Sequence, residues 1–171
     1  MKRILLLRHA KSDWHDHTVA DFDRPLSPRG REAAPQVAAW IREHRLLPER
    51  VLCSAARRTT ETWELMAQAL GHEAPVQHSR ALYHASRRAI LSHLTREDDT
   101  ADTIAVVGHN PGIAEFASYY AVFGDEEDIA RIRLKYPTGA LAVISFRIDR
   151  WADLPGAHGT LEHHVRPREL E

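Results

Sequence analysis

Two histidines follow short apolar runs of the chain. Residues 4–7 are followed by Arg8 and His9, and residues 103–108 are followed by His109. Such runs are typical of buried parallel strands, and the carboxyl ends of those strands form the ligand crevice of an open α/β sheet. If the two strands are neighbours, Arg8 and both histidines share one edge. A neutral imidazole at that edge could attack phosphorus while a guanidinium holds a phosphate oxygen. An isolated Arg-His pair, however, is more often a solvated strand end.

Two arginines follow another predicted strand, residues 51–53. Arg57 and Arg58 stand at the start of a segment, 57–70, whose apolar spacing predicts a helix. Cations are unfavourable near a helix N-terminus unless an anion is bound there. Arg57 can instead pair with Glu61 or Glu64 on the helix surface, so Arg58 is the stronger candidate for holding phosphate.

A further helix is predicted after His109, with Asn110 as its N-cap and Pro111 at its first position. This arrangement would place free backbone N–H groups beside His109, where they favour an anion. Asn110 is therefore also a predicted substrate-binding residue.

The elements that must position these residues alternate between strand and helix patterns. Strands are predicted at 4–7, 51–53, around residue 76, at 103–108 and at 139–148, with helices opening at Pro28 and covering 57–70 and 87–94. This alternation predicts a three-layer α/β/α sandwich with a mostly parallel central sheet. The length of 171 residues suits one domain, predicted over 1–150. Residues 151–171 are predicted to be a polar C-terminal extension that packs loosely or not at all.

The balance of positive and negative residues limits the classes of binding partner. The chain has 23 Lys and Arg against 24 Asp and Glu, a net charge of -1, which argues against nucleic acid or a membrane surface as the main partner but allows a local basic cluster. A single cysteine, Cys53, permits no internal disulfide and favours the cytoplasm, and no apolar run is long enough to span a bilayer.

The chain contains 12 histidines, which raises the question of a metal site. His15 and His17 are two residues apart, and His163 and His164 are adjacent. Neither pair has the spacing or the third ligand of a zinc site. We therefore expect no metal and no other cofactor.

Three motifs together resemble the histidine phosphatase superfamily. They are Arg8-His9-Ala10 after the first strand, Ser54 with Arg58 and Thr62 at four-residue steps, and Gly108-His109 after a later strand. They occur in the family's order, and the resemblance covers residues 2–148. The small size, the segment 23–30 and the lack of a cap insertion are most similar to SixA-like phosphohistidine phosphatases.

The resemblance implies a phosphoglycerate mutase-like fold and a role for each matched residue. His9 would be the nucleophile that becomes transiently phosphorylated, and Arg8, Arg58 and His109 would clamp the phosphate without a metal. The commonest family signature has glycine at the position that Ala10 occupies here.

A second departure from the family concerns the general acid. Many members supply a glutamate after the third strand, whereas residues 79–84 contain no carboxylate. A phosphate monoester needs a proton for its alkoxide, but a phosphohistidine leaves as neutral imidazole once its ring is protonated. This difference favours a phosphohistidine-bearing protein as substrate. His84, Asp13 or Asp21 could still act as an acid, so a small-molecule phosphomonoesterase stays open. A non-catalytic phosphate-binding or phosphoprotein-binding module is the third hypothesis, although such a module has no need of His9.

Overall fold

A seven-stranded sheet forms the centre of the protein, which is described by a computed structural model covering residues 1–171. The strands are β1 (Lys2–Arg8), β2 (Arg50–Ser54), β3 (Val76–Ser79), β4 (Thr103–Gly108), β5 (Ala121–Gly124), β6 (Leu141–Phe146) and β7 (Gly159–Val165). Their order is β3-β2-β4-β1-β6-β7-β5, and only β6 runs antiparallel to the others. The predicted mostly parallel sheet is confirmed.

Helices cover both faces of the sheet. They are α1 (Pro28–Glu43), α2 (Arg57–Leu70), α3 (Arg87–Thr95), α4 (Gly112–Tyr120) and α5 (Glu126–Leu134). Because side chains alternate along a strand, β1 sends Leu5 and Leu7 toward α1 and α2, and Ile4 and Leu6 toward α3, α4 and α5. Two apolar cores result, and the three-layer α/β/α prediction is confirmed.

The helix boundaries follow local signals in the sequence. The Ser27 hydroxyl accepts a hydrogen bond from the Gly30 N–H at 3.1 Å, which caps α1 ahead of Pro28. Gly71 ends α2 in the left-handed conformation, with φ of +60°. The helix predicted over 57–70 has these same bounds.

The last predicted helix begins later than expected. Asn110 was expected to cap it, but α4 starts at Gly112 and Asn110 makes no capping hydrogen bond. Its side-chain amide instead donates to the Tyr136 carbonyl oxygen at 2.8 Å. The backbone therefore turns once more before the helix forms, and the N-cap prediction is wrong.

The prediction that residues 151–171 pack loosely is wrong. β7 lies inside the sheet between β6 and β5, and Trp151 and Leu154 are fully buried. The Trp151 indole donates to the Ala101 carbonyl oxygen at 2.8 Å. Four large apolar side chains of this polar segment, Trp151, Leu154, Leu161 and Val165, are buried, so composition alone gives a misleading impression of its packing. None of the helices has the length and apolarity needed to cross a membrane.

Candidate active site

The carboxyl edge of the sheet carries an open cleft of about 430 Å³. β1 and β4 are neighbours in register, with Arg8 opposite Gly108, so the residues that follow both strands meet there. The cleft is lined by Arg8, His9, Lys11, Ser12, Trp14, Asp21, Arg24, Arg58, His84, His109, Asn110 and Thr138. All five predicted site residues are in this set. Of the three candidate acids, Asp21 and His84 line the cleft, whereas Asp13 does not and bonds the exposed His15 instead.

His9 is buried and held in one orientation. Its Nδ1 lies 2.7 Å from the carbonyl oxygen of Ala10, an acceptor, so Nδ1 carries the proton. Nε2 is then the unprotonated nitrogen, and it accepts a hydrogen bond from Arg58 Nε at 3.3 Å. Burial, followed by the nearby Arg58, Arg8 and Arg24, outweighs the Ala10 hydrogen bond and lowers the pKa of His9 to about 3. The ring is therefore a neutral nucleophile over the physiological pH range.

The backbone next to His9 is held by α2. Thr62 Oγ1 accepts a hydrogen bond from the Ala10 N–H at 3.0 Å and donates to the Arg58 carbonyl oxygen at 2.6 Å. The Gly139 N–H donates to the His9 carbonyl oxygen at 2.8 Å. Ala10 is itself buried in the core on the α1 and α2 side of the sheet, so a methyl group occupies the position where the family signature has glycine.

Arg58 occupies the middle of the cleft and is only 1% exposed. Its Nη1 donates to the backbone oxygen of Asp21 at 2.7 Å, and its Nη2 donates to the Asp21 carboxylate at 3.1 Å and to His109 Nδ1 at 3.3 Å. Arg57, one residue earlier, points outward and lies 3.5 Å from Glu61. The structure thus separates the two arginines as predicted, one facing the cleft and one on the surface.

His109 faces His9 across the cleft, with the ring centroids 5.4 Å apart. Because its Nδ1 accepts from Arg58, its proton is on Nε2, which donates to Ser54 Oγ at 2.8 Å. Burial and then the adjacent Arg58 lower the pKa of His109 well below its usual value. Both imidazoles are therefore neutral in the free protein.

Asp21 is a site residue whose role the sequence did not predict, because it was considered there only as a possible acid. Its carboxylate accepts hydrogen bonds from Arg58, from Arg24 Nη2 at 2.8 Å and from the Tyr83 hydroxyl. Desolvation raises its pKa, but hydrogen bonds from Tyr83, Arg24 and His84 outweigh it and hold the pKa of Asp21 far below its ordinary value. Asp21 is thus a permanent carboxylate that anchors two arginines.

His84 lies at the exposed rim of the cleft. Its Nε2 is 3.2 Å from the Asp21 carboxylate, and its ring centroid is 4.8 Å from that of His109. It adopts a left-handed backbone conformation, with φ of +50°. A methyl group on Gly112 would come within 1.9 Å of the Ala85 carbonyl oxygen, so this glycine is what lets the His84 segment approach α4.

Arg8 and Asn110 share one acceptor. Arg8 Nη1 donates to the Tyr136 carbonyl oxygen at 3.0 Å, the same oxygen that Asn110 bonds. Burial and then repulsion from Arg58 lower the pKa of Arg8. The Nε atoms of Arg8 and Arg24 are buried without any partner. These guanidinium groups are therefore incompletely satisfied by the protein.

Several cleft residues were missed by sequence reasoning. Lys11, Ser12, Trp14 and Arg24 lie in the long loop that follows β1. Arg24 Nη1 donates to Ser12 Oγ, and its guanidinium stacks 3.5 Å from the Trp14 ring. The available signal was their position directly after a strand that ends at the ligand edge.

The cleft as a whole is strongly cationic. Arg8, Lys11, Arg24 and Arg58 face a single carboxylate, Asp21. Cations packed this closely repel one another unless an anion binds between them. The arrangement can hold a phosphoryl group against His9 Nε2 and neutralise the charge on its oxygens.

The two buried histidines of the cleft, His9 and His109, predict an acid-sensitive fold. Their pKa values are lowered on folding, so below pH 6.5 the unfolded chain binds protons that the folded protein does not. Stability should therefore fall as the pH falls from 7 to 5, by up to about 2 kcal/mol for each histidine at pH 5. Urea unfolding at both pH values checks this. His9→Gln should lose less stability than the wild type over this interval, and His158→Gln, a control at an exposed position without hydrogen bonds, should match the wild type. Equal losses in all three proteins would contradict it.

Comparison with known proteins places this geometry in context. The sequence model of the histidine phosphatase superfamily, branch 1, matches residues 4–87. The "Uncharacterized protein Rv1276c" of Mycobacterium tuberculosis is 36% identical over 93% of this chain and 99% of its own length.

Two solved structures share the whole fold. A candidate phosphohistidine phosphatase SixA from Nakamurella multipartitia superimposes with a TM-score of 0.83 at 31% identity, covering 97% of this chain and 96% of that one. A candidate SixA from Agrobacterium tumefaciens gives a TM-score of 0.82 at 26% identity, covering 97% of this chain and 98% of that one. The similarity therefore extends well beyond residues 4–87, over nearly the whole chain.

Proposed function

Because the chain belongs to the histidine phosphatase superfamily and is a phosphatase, we propose that it hydrolyses phosphohistidine on a partner protein, through a phosphorylated His9 and without a metal ion. The observation that carries this proposal is the tautomer of His9. Its Nδ1 proton is held by the Ala10 carbonyl oxygen, and its unprotonated Nε2 faces Arg58 in a cationic cleft. The lone buried Cys53 suits the reducing cytoplasm, which we propose as its compartment.

The first step is an exchange of one P–N bond for another. His9 Nε2 attacks phosphorus, the bond to the substrate imidazole breaks, and its electron pair returns to the substrate nitrogen. When the second ring nitrogen of the substrate carries a proton, the leaving group is a neutral imidazole. His9 becomes a phosphoimidazolium with its Nδ1 proton in place. Since the bonds broken and formed are alike, the enzyme needs no separate acid for this step.

The second step returns the enzyme to its starting state. Water attacks phosphorus, the bond to His9 Nε2 breaks, and the electron pair returns to Nε2. The Nδ1 proton makes His9 a neutral leaving group, and phosphate departs as H₂PO₄⁻ with both protons of the water. The hydrogen bond to Ala10 thus serves both steps, because it preserves the tautomer that attacks and the proton that allows departure.

The remaining roles fall to the residues around His9. Arg8 and Arg58 are proposed to hold phosphoryl oxygens, where transition-state charge is spread. His109 is proposed to donate to the third oxygen from Nδ1, because an anion bound in the cleft favours protonation of that nitrogen. Asn110 lies at the cleft edge and orients the Tyr136 carbonyl that also fixes Arg8. Asp21 is proposed as a positioning residue for Arg58 and Arg24.

The absence of a suitable carboxylic acid supports a P–N substrate. Asp21 is the only carboxylate that lines the cleft, and its low pKa leaves no proton to donate. The rim supports a protein substrate, because Trp14 is 64% exposed and the His84 side chain is half exposed. A histidine on a protein surface can therefore approach the cleft from solvent.

A phosphomonoesterase is the second candidate, and one observation favours it. His84 places an imidazole ring at the rim of the cleft, with its Nε2 3.2 Å from the Asp21 carboxylate. Such a group could protonate an alkoxide leaving group. Under this alternative, His84→Gln would abolish ester hydrolysis and leave P–N hydrolysis intact.

Phosphate release in EDTA tests both candidates. The substrates are a phosphohistidine protein and p-nitrophenyl phosphate, each with the wild type and His84→Gln. We expect a kcat/KM at least about 100-fold higher for the phosphohistidine protein, because only the ester needs an external acid. Ester turnover alone, lost in His84→Gln, would establish the phosphomonoesterase instead. Loss of all activity in EDTA would overturn metal independence.

A further inference from the structure

A second groove of about 440 Å³ lies beside the cleft. It is lined by Lys11, Arg29, Glu32, Ala33, Gln36, Lys135, Pro137, Thr138, Arg166, Pro167, Arg168 and Glu171. Lys11 and Thr138 line both the groove and the cleft, so the two depressions are continuous. None of the proposed chemical steps uses the groove.

The groove is a built feature rather than a chance gap between loops. Arg29, Glu32, Ala33 and Gln36 are spaced so that they share one face of α1, which forms one wall. The opposite wall comes from the segment that precedes β6 and from residues 166–171 after β7. The C-terminal segment, predicted to pack loosely, thus forms part of a surface next to the cleft.

Lys11 is held at the junction between groove and cleft. The backbone N–H and the hydroxyl of Ser27 both donate to the Lys11 carbonyl oxygen, at 2.9 and 3.0 Å. A methyl group on Gly30 would come within 2.1 Å of that oxygen. Glycine therefore allows α1 to begin against the loop that carries the cleft residues. This contact fixes the position of the groove relative to the cleft.

The groove carries a clear excess of positive charge. Five cationic side chains line it against the carboxylates of Glu32 and Glu171. Lys11, Lys135 and Arg168 make no ion pair within the protein, and Arg29 meets Glu171 only at 3.7 Å. Cleft and groove together contain eight of the 23 Lys and Arg but only three of the 24 Asp and Glu. A chain of net charge -1 therefore concentrates its positive charge on one face.

We propose that this groove binds an acidic segment of the substrate protein while its phosphohistidine occupies the cleft. The inference rests on the proposed function, because it requires a protein substrate. Unpaired surface cations beside a reaction site attract partners of opposite charge and orient their approach. An acidic peptide fits better than single-stranded nucleic acid, because no aromatic side chain lines the groove to stack with bases.

Two phosphohistidine peptides test the proposal, one flanked by glutamates and one by glutamines. We expect kcat/KM to be about tenfold higher for the glutamate peptide, and the preference to disappear in about 0.5 M NaCl. The double variant Lys135→Glu with Arg168→Glu should lose or reverse the preference. Arg45→Glu with Arg147→Glu makes the same charge change on exposed residues at the opposite edge of the sheet and should keep it.

Binding of the unphosphorylated, fluorescein-labelled peptides separates failure of this inference from failure of the proposed function. A glutamate preference in binding that the groove variant loses supports the groove even if neither phosphopeptide is hydrolysed. Phosphohistidine turnover without any glutamate preference would overturn the groove and leave the proposed function intact. Tighter binding of oligo-dT than of the glutamate peptide would identify nucleic acid as the occupant and overturn the proposal.

Discussion

His9→Gln should abolish phosphate release from a phosphohistidine protein, with a loss of about 10⁴-fold or more, because covalent catalysis has no substitute nucleophile in the cleft. His109 cannot take over, since its Nδ1 faces Arg58 and its Nε2 proton is directed to Ser54. Brief reaction with ³²P-labelled substrate should label the wild type with acid-labile, base-stable phosphate. The variant should remain unlabelled.

Phosphate binding should largely survive in His9→Gln, because the three proposed clamp residues remain. Phosphate should therefore still raise the melting temperature of the variant, as ligand linkage requires. His158→Gln, at an exposed position without hydrogen bonds, serves as the matched control and should retain wild-type turnover. Turnover by His9→Gln above about 1% of the wild type would rule out a covalent route through this residue.

Arg58→Ala should produce the second large effect, a loss of about 10³-fold or more in kcat/KM. This guanidinium contacts His9, His109 and Asp21 at once and is almost fully buried. Its removal would take away a proposed phosphate ligand and the hydrogen bond to His9 Nε2. Arg58→Lys keeps the charge but loses the planar fork, so it should recover only part of the activity. Steady-state kinetics with the phosphohistidine protein measures both.

The neighbouring arginine provides a strict control for this prediction. Arg57→Ala removes an equal side chain from the same helix turn, but Arg57 is exposed and meets only Glu61. Its kcat/KM should stay within about threefold of the wild type, because an exposed ion pair contributes little. Similar losses for Arg57→Ala and Arg58→Ala would show that activity depends on α2 stability rather than on the clamp. Melting curves of Arg58→Lys check that the fold persists.

Local patterns were sufficient where one physical signal dominated. The bounds of α2 were predictable because apolar residues recur at helical spacing up to Gly71, which favours a C-terminal stop. β1 and β4 were predictable because both of their faces are buried, which requires continuous apolar runs. The same two strands brought His9 and His109 to one edge.

Local sequence patterns did not predict the elements whose position depends on pairing with distant segments of the chain. β7 contains Glu162, His163 and His164, and a register shift against β6 interrupts its alternation. Its apolar side chains are few, so its place in the sheet depends on hydrogen bonds to β6 and β5. β5 is a short, largely exposed edge strand, and α5 has only two buried positions, Ile129 and Ile132. Neither carries a distinct periodic signal.

The amino-acid sequence was sufficient to predict the layered α/β architecture and five of the residues at the cleft, because strand ends and helix starts are marked by local chemistry. The contacts around these residues depend on the tertiary structure and could not be predicted from local patterns. The Asp21 carboxylate accepts hydrogen bonds from Arg58 and Arg24, and Lys11 lines both the cleft and the cationic groove. These relations join loops far apart in the chain, and their energies depend on distance and burial, which no local pattern encodes.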